Sequence, residues 1–163
     1  VQSAWQAHQG HVANPSLLMT QLDEHLRQSS AGDLTTHLAQ ALLDDRGQID
    51  FASAGNLSAF VWNEEGRHRL LSHGAGLGLE QNLFVPITKL DLQTGDLFIL
   101  FSPGAGELVD EGGLHIGPDA LLKTLQKHLH RPTSQLMTVL RELLVPRMKH
   151  PTDCATIILA KRK

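Results

Sequence analysis

Few residues in this sequence have the types and spacing that metal binding or acid–base chemistry requires. His8 and His11 are three residues apart, a spacing that can place two imidazoles on one face of a helix as metal ligands. Gly10 lies between them and no further ligand follows at a known spacing, which disfavours a metal site. The segment Asp110-Glu111-Gly112-Gly113 could attract a cation, but its composition is more typical of a solvated turn.

The most informative stretch is a predicted strand at residues 97–101, which ends at Ser102-Pro103-Gly104. Five consecutive large apolar residues indicate a strand covered on both faces. Pro103 lacks an N–H group and Gly104 tolerates positive φ, so we expect strand pairing to end there. A strand end beside a glycine turn often presents a functional side chain, yet Pro103 offers no group that binds a metal or transfers a proton.

Composition limits the classes of function. The chain has 163 residues, which suits a single domain over 1–163, and its net charge of −3 argues against nucleic acid or an anionic membrane as a partner. Cys154 is the single cysteine, so we expect a reducing, cytoplasmic compartment. No apolar run approaches the length of a membrane span. Because the chain begins at Val1 rather than Met, we expect it to be the C-terminal portion of a longer protein.

Helical periodicity predicts the element that precedes the strands. Asn14-Pro15 is a helix-start signal, and the helix is expected to run to about Gln28. Its inner stripe is predicted to be Leu18, Leu22 and Leu26, with Asp23, Glu24 and Arg27 on the outer face.

The period then changes to that of strands. Strands are predicted over residues 34–43, 48–54, 57–62, 67–71, 83–92 and 155–160, in addition to the strand at 97–101. Pro86 places the 83–92 segment at a sheet edge or bulge, and the glycines of residues 74–78 indicate a loop rather than a dinucleotide fingerprint. Two helices are predicted, from Gly117 to about His130 and from Pro132 onward. The predicted core consists of Ile49, Phe51, Phe98, Leu100, Leu122, Leu125, Leu140 and Ile158.

Four segments in order resemble the 2C-type (PPM) serine/threonine phosphatases of the bacterial SpoIIE-like branch. They are residues 47–56, 76–78, 92–101 and 153–156, and the agreement in order and spacing extends from about Asn14 to Lys161. The resemblance implies an α+β fold, a two-layer antiparallel β-sandwich flanked by helices and incomplete at the N-terminus. It also implies hydrolysis of phosphoserine or phosphothreonine on proteins, at two Mg²⁺ or Mn²⁺ ions held by aspartates.

The sequence departs from the family pattern where the metals would bind. The family has Thr-Asp-Gly at the end of its central strand, whereas this chain has Pro103 in place of the ligand aspartate. The family's later Asp-Asp pair is Asp153-Cys154 here, so the resemblance leaves Asp153 as a vestigial or partial metal ligand. The Ala-Gly-His segment ends in Asn56, and the N-terminal strands with the other metal aspartate have no counterpart. We therefore expect weak Mn²⁺ or Mg²⁺ binding at most, no bound cofactor in this chain alone, and no assigned catalytic residue.

The resemblance and the departures from it lead to two candidate functions, a protein-binding domain and an enzyme. The first is a catalytically degenerate signalling domain of stress and sigma-factor regulation, which acts by protein binding as the output or adaptor domain of a response-regulator-type protein. Its expected partners are an anti-sigma antagonist, a sigma factor or a related regulator, and a second copy of the chain is the further candidate, as a homodimer. The alternative is an active Mn/Mg-dependent phosphatase completed by residues upstream of Val1. An Asp-Gly motif upstream would favour the enzyme.

Overall fold

The chain folds into two units, each with its own antiparallel sheet and at least one helix. One unit comprises Val1–Leu57 with Leu70–Leu92, and the other comprises Ser58–Arg69 with Gln93–Lys163. The computed structural model describes residues 13–30, 33–70, 72, 74–109, 112–113, 115, 117–148 and 155–163. Within these ranges, no helix combines the length and apolar character needed to cross a membrane. Whether 1–163 acts as a single domain stays a prediction.

The first unit begins with helix α1, Pro15–Ser30. The side chain of Asn14 caps it, because its Oδ1 accepts a hydrogen bond from the Leu17 amide at 3.1 Å. Pro15 follows at the first helical position, where a missing N–H group costs nothing. The predicted start is thus confirmed, and the helix ends two residues later than predicted.

The inner face of α1 is wider than predicted. Leu18, Leu22 and Leu26 are buried as expected, and Met19 joins them in the core of this unit. The prediction that Asp23 lies on the outer face is wrong, since this residue is 1% exposed. Asp23 is four residues after Met19 and three before Leu26, and these spacings place it within the apolar stripe.

The sheet of this unit has the order β1-β2-β5, with β1 at Leu38–Leu43, β2 at Gln48–Ala54 and β5 at Thr88–Asp91. The β1–β2 hairpin turns at Asp44, whose carboxylate accepts hydrogen bonds from the Arg46 and Gln48 amides at 2.9 and 2.7 Å. β1 begins later than predicted because Thr36 pairs with Leu77 of the glycine-rich loop instead of extending the strand. β5 is an edge strand, as Pro86 predicted.

The sheet of the second unit has the order β4-β3-β6-β7. Its strands are β3 at Ser58–Asn63, β4 at Gly66–Leu70, β6 at Leu97–Phe101 and β7 at Ile157–Lys161. β6 lies between β3 and β7, and every one of its residues except Leu100 is buried. The predicted central strand is therefore confirmed.

Helices cover one face of this sheet. They are α2 at Pro103–Glu107, α3 at Gly117–Gln126 and α4 at Thr133–Leu144, followed by a 3-10 turn at Val145–Arg147. The core between helices and sheet includes Leu122, Leu125 and Leu140. α3 ends before the predicted His130, because the His128 amide bonds to the Leu125 carbonyl at 2.8 Å and tightens the chain into turns.

The predicted core is correct with two exceptions. Ile158 is 48% exposed, because β7 alternates and its neighbours Ile157 and Leu159 are the residues that pack against the core. Leu100, its partner in the β6–β7 register, is only partly buried. The other six predicted core residues are buried: Ile49, Phe51, Phe98, Leu122, Leu125 and Leu140. The predicted α+β class with antiparallel sheets and flanking helices is confirmed.

Candidate functional site

The corner after β6 is the position where the sequence predicted a functional side chain. The backbone of Ser102 is still extended, with φ −69° and ψ 158°, and α2 begins at Pro103. Proline suits the first helical position, since its fixed φ matches the helix and no intrahelical bond needs its nitrogen. Pro103 thus ends the strand and starts the helix, and its half-buried side chain carries no donor atom for a metal.

Ser102 ties this corner to the segment that leads into β7. Its amide donates to the Thr156 carbonyl at 2.9 Å, and its Oγ accepts a hydrogen bond from the Thr156 amide at 2.9 Å. The hydroxyl makes no hydrogen bond that caps α2. Two hydrogen bonds therefore hold the Ser102-Pro103 corner beside residue 156, three positions after Asp153.

Asp153, the one metal ligand that the resemblance implied, lies outside the described residues, as do His8 and His11. In the part of the chain that the structure describes, no three His, Cys, Asp or Glu side chains come together in a group that could hold a metal ion. A two-metal centre needs several carboxylate oxygens around each ion. The described residues around Pro103 do not supply such a donor set.

In the other unit, the Ala54-Gly55-Asn56 segment is supported by a histidine that sequence reasoning missed. His37 Nδ1 lies 2.9 Å from the Asn56 amide and accepts its hydrogen bond. Gly55 has φ +91°, and a Cβ there would overlap the His37 ring. Ser72 Oγ donates to the Gly55 carbonyl at 2.7 Å. The turn is therefore built around a glycine and backbone hydrogen bonds, and no pattern in the sequence marked His37.

Asp23 is the second residue that sequence reasoning missed. Its Oδ1 accepts a hydrogen bond from the Gly78 amide at 2.6 Å, and its Oδ2 accepts one from Arg27 Nε at 3.2 Å. The adjoining Leu77 exchanges two backbone hydrogen bonds with Thr36, at 3.0 and 2.8 Å. These bonds hold residues 76–78, one of the segments that carried the family resemblance. Two spacings could have indicated the burial of Asp23. It is four residues before Arg27, with which it can pair, and it falls within the apolar stripe of α1.

Solved structures share this fold. The SiaA-PP2C domain of Pseudomonas aeruginosa matches with a TM-score of 0.79 and 20% identity, over 99% of this chain and 67% of that one. The RsbU and RsbW domains of Rv1364c from Mycobacterium tuberculosis match with a TM-score of 0.76 and 17% identity, over 98% and 46%. The Mn-presoaked SpoIIE phosphatase domain from Bacillus subtilis matches with a TM-score of 0.62 and 15% identity, over 100% and 74%. The chain has the fold of the PP2C phosphatases.

Sequence comparison identifies the family. The profile of the family described as Stage II sporulation protein E (SpoIIE) matches residues 1–163, and the chain belongs to this family. Phosphoserine phosphatase RsbU of Bacillus subtilis (strain 168) is 27% identical over 122 residues, which cover 73% of this chain and 36% of RsbU. Protein IcfG of Synechocystis sp. (strain ATCC 27184 / PCC 6803 / Kazusa) is 27% identical over 99 residues, which cover 60% of this chain and 16% of IcfG. The matched region of the chain thus covers about a third of RsbU and about a sixth of IcfG.

Proposed function

We propose that the chain is a phosphatase-fold signalling domain of bacterial stress and sigma-factor regulation that acts by binding a protein partner and does not hydrolyse phosphate esters. The observation that carries this proposal is Pro103 at the end of β6, where the family has a metal-binding aspartate. A carboxylate lost from a site built on few carboxylates weakens binding of both divalent ions.

The metal-binding side chains in the rest of the described structure support the proposal that the chain does not hydrolyse phosphate esters. Among the described residues, no cluster of potential ligands takes over the role of the missing aspartate. Asp153 then remains as a partial ligand for at most one weakly held Mn²⁺ or Mg²⁺ ion. A single loosely held ion lacks a second metal to share the charge of the transferring phosphoryl group.

The family membership supports a protein as the binding partner. RsbU and RsbW domains occur together in the solved structure of Rv1364c, which supports a regulator of the sigma-factor systems as the partner of this chain. We propose an anti-sigma antagonist, a sigma factor or a related regulator, bound in the cytoplasm. In this proposal the chain is the output or adaptor domain of a longer response-regulator-type protein.

The alternative is an active phosphatase completed by residues upstream of Val1. Two observations favour it: RsbU is named a phosphoserine phosphatase, and the two Ser102–Thr156 hydrogen bonds hold the segment after Asp153 at the corner. In this alternative, Asp153 and upstream aspartates hold the metals. Pro103 remains a defect in that site.

Hydrolysis of a phosphoserine peptide with Mn²⁺ or Mg²⁺ separates the two functions. The chain and the natural protein extended upstream of Val1 are assayed as wild type, Pro103→Asp and Asp153→Ala, with Pro103→Asn as the matched variant that removes proline without adding a carboxylate. We expect wild-type rates at background in both lengths. Metal-dependent turnover by wild type that Asp153→Ala abolishes would establish the enzyme instead.

Binding is measured in parallel with a purified anti-sigma antagonist from the same genome, in its phosphorylated and unphosphorylated forms. We expect a stable complex whose phosphate content does not change with time when Mn²⁺ is present. Loss of phosphate from the bound antagonist would contradict the proposal.

A further inference from the structure

The unit that contains β6 carries an open cleft of about 520 Å³. This volume lies within the range of about 300–1,000 Å³ that is typical of ligand sites. The β3–β4 hairpin forms one wall and α3 forms the other. The lining residues are Trp62, Gly66, Arg67, Asp119, Lys123 and Gln126.

The α3 wall is a single stripe of polar side chains. Asp119, Lys123 and Gln126 are at positions i, i+4 and i+7, which face the same side of a helix. The opposite face of α3 is buried through Leu121, Leu122 and Leu125. Because core packing fixes this helix, the polar stripe has a defined position along the cleft.

An ion pair joins the two walls. Arg67 Nη1 lies 2.8 Å from Asp119 Oδ1, and the Arg67 guanidinium lies 5.7 Å from the centre of the Phe60 ring. Phe60 is buried in the core. The Asp119 carboxylate thus compensates the charge of Arg67, and the ring beneath restricts the movement of the arginine.

Lys123 gives the cleft its net charge. It is exposed, and the ion pairs found among the described residues do not include it. With Arg67 and Asp119 paired, the Lys123 ammonium leaves the cleft with one uncompensated positive charge. An anionic group is the ligand that this charge favours.

Trp62 gives the cleft an apolar surface. Its half-buried side chain packs against the core, so the indole is held in place while it lines the cleft. Among the described residues, no atom outside the two chain neighbours of Gly66 lies within 4 Å of the position that a Cβ on this glycine would occupy. A ligand backbone can therefore approach the hairpin closely beside the indole.

We propose that this cleft binds an extended acidic segment of a partner protein, with an Asp or Glu carboxylate on Lys123 and an adjacent apolar side chain on Trp62. The inference rests on the proposed function in protein binding and gives that function a surface. A nucleic acid strand fits less well, because a row of phosphates needs several uncompensated cations and this cleft supplies only the one of Lys123.

The probe is the peptide acetyl-Gly-Asp-Leu-Glu-Leu-Gly-amide, compared with its uncharged form in which Asn and Gln replace Asp and Glu. Binding is followed by the NMR signal of the Trp62 indole N–H, assigned with Trp62→Phe. We expect saturable shifts with the acidic peptide and at least about fivefold weaker binding of the uncharged form. Equal binding of both peptides would overturn the role of Lys123.

Charge reversal locates the contact. Lys123→Glu is expected to abolish binding, whereas Lys127→Glu, the same change at an exposed lysine that does not line the cleft, is expected to leave it within about twofold. Trp62→Leu is expected to weaken binding several-fold. Equal losses with both charge reversals would show an effect of net charge and would overturn the proposal, as would tighter binding of an oligothymidine strand.

The outcomes for the cleft and for the proposed function are separable. If the chain has no phosphatase activity and does not bind the peptide, the proposed peptide site in the cleft is wrong and the proposed function stands. Metal-dependent turnover in a chain that still binds the acidic peptide through Lys123 would overturn the proposed function alone.

Discussion

Removal of the Asp23 carboxylate tests the brace between α1 and the glycine-rich loop. The Asp23 side chain is 2% exposed, and it accepts hydrogen bonds from the Gly78 amide at 2.6 Å and from Arg27 Nε at 3.2 Å. Asp23→Ala leaves the Gly78 N–H buried without this acceptor. It also leaves Arg27, whose side chain is 25% exposed, without its carboxylate.

The expected magnitude follows from these two losses. A buried donor left without a partner costs about 1–3 kcal/mol, and hydrogen bonds to a charged group contribute about 1.5–3 kcal/mol. Because the two terms overlap, we expect Asp23→Ala to lower the free energy of unfolding by about 2–4 kcal/mol. Asp23→Asn keeps an acceptor oxygen for the Gly78 amide, so we expect about half this loss.

Urea titration measures the global effect and amide hydrogen exchange at Gly78 measures the local one. Since about 1.4 kcal/mol corresponds to a factor of ten, the Gly78 amide should exchange at least about 30-fold faster in Asp23→Ala. Asp50→Ala is the matched control, because it removes a surface ion pair with Lys89 at 3.3 Å. We expect that control to cost about 0–1 kcal/mol. A loss in Asp23→Ala no larger than in Asp50→Ala would refute the brace.

Five further substitutions test the fold by urea titration. Phe98→Ala should lower the free energy of unfolding by about 3–5 kcal/mol, because Phe98 is 2% exposed. Ile158→Ala should lower it by less than half of that, because Ile158 is 48% exposed. Equal losses would mean that the central strand is misplaced. Gly78→Ala should lower the free energy of unfolding more than Gly95→Ala does. Both glycines have φ +96°, but of the two only Gly78 would bring a Cβ into contact with a backbone carbonyl oxygen, that of Leu34. Asn14→Ala should cost about 1 kcal/mol through loss of the α1 cap, and no measurable change would contradict the capping geometry.

Local signals predicted much of the fold. Asn14-Pro15 marked the start of α1, and the predicted strands at residues 34–43 and 48–54 contain the two strands of the first hairpin. The uninterrupted apolar run at residues 97–101 predicted a buried strand, and β6 lies there, between β3 and β7. Each of these features depends on neighbours within a few residues, which the sequence displays directly.

Features that depend on long-range contacts were not predictable in the same way. The burial of Asp23 depends on Gly78, 55 positions further along the chain. The late start of β1 depends on pairing between Thr36 and Leu77. The exposure of Ile158 depends on which face of β7 the helices cover, and an apolar strand does not reveal that choice.

The candidate site was predictable to the extent that its residues are local. Pro103 was recognised at the end of the central strand, and the structure places it as the first residue of α2. The two hydrogen bonds between Ser102 and Thr156 are a tertiary feature that no motif announced. His37, which holds the Asn56 amide, was missed for the same reason. The role of Asp153 as a metal ligand stays a prediction.

Calorimetric titration of Mn²⁺ into the wild type, Pro103→Asp and Pro103→Asn tests the central claim most directly. The claim is that Pro103 deprives the corner of a metal ligand. We predict weak binding to the wild type, at least about tenfold tighter binding to Pro103→Asp, and no gain in Pro103→Asn, because an added carboxylate and not the loss of proline supplies the ligand. Tight binding of two Mn²⁺ ions by the wild type, unchanged in Pro103→Asp, would contradict the account.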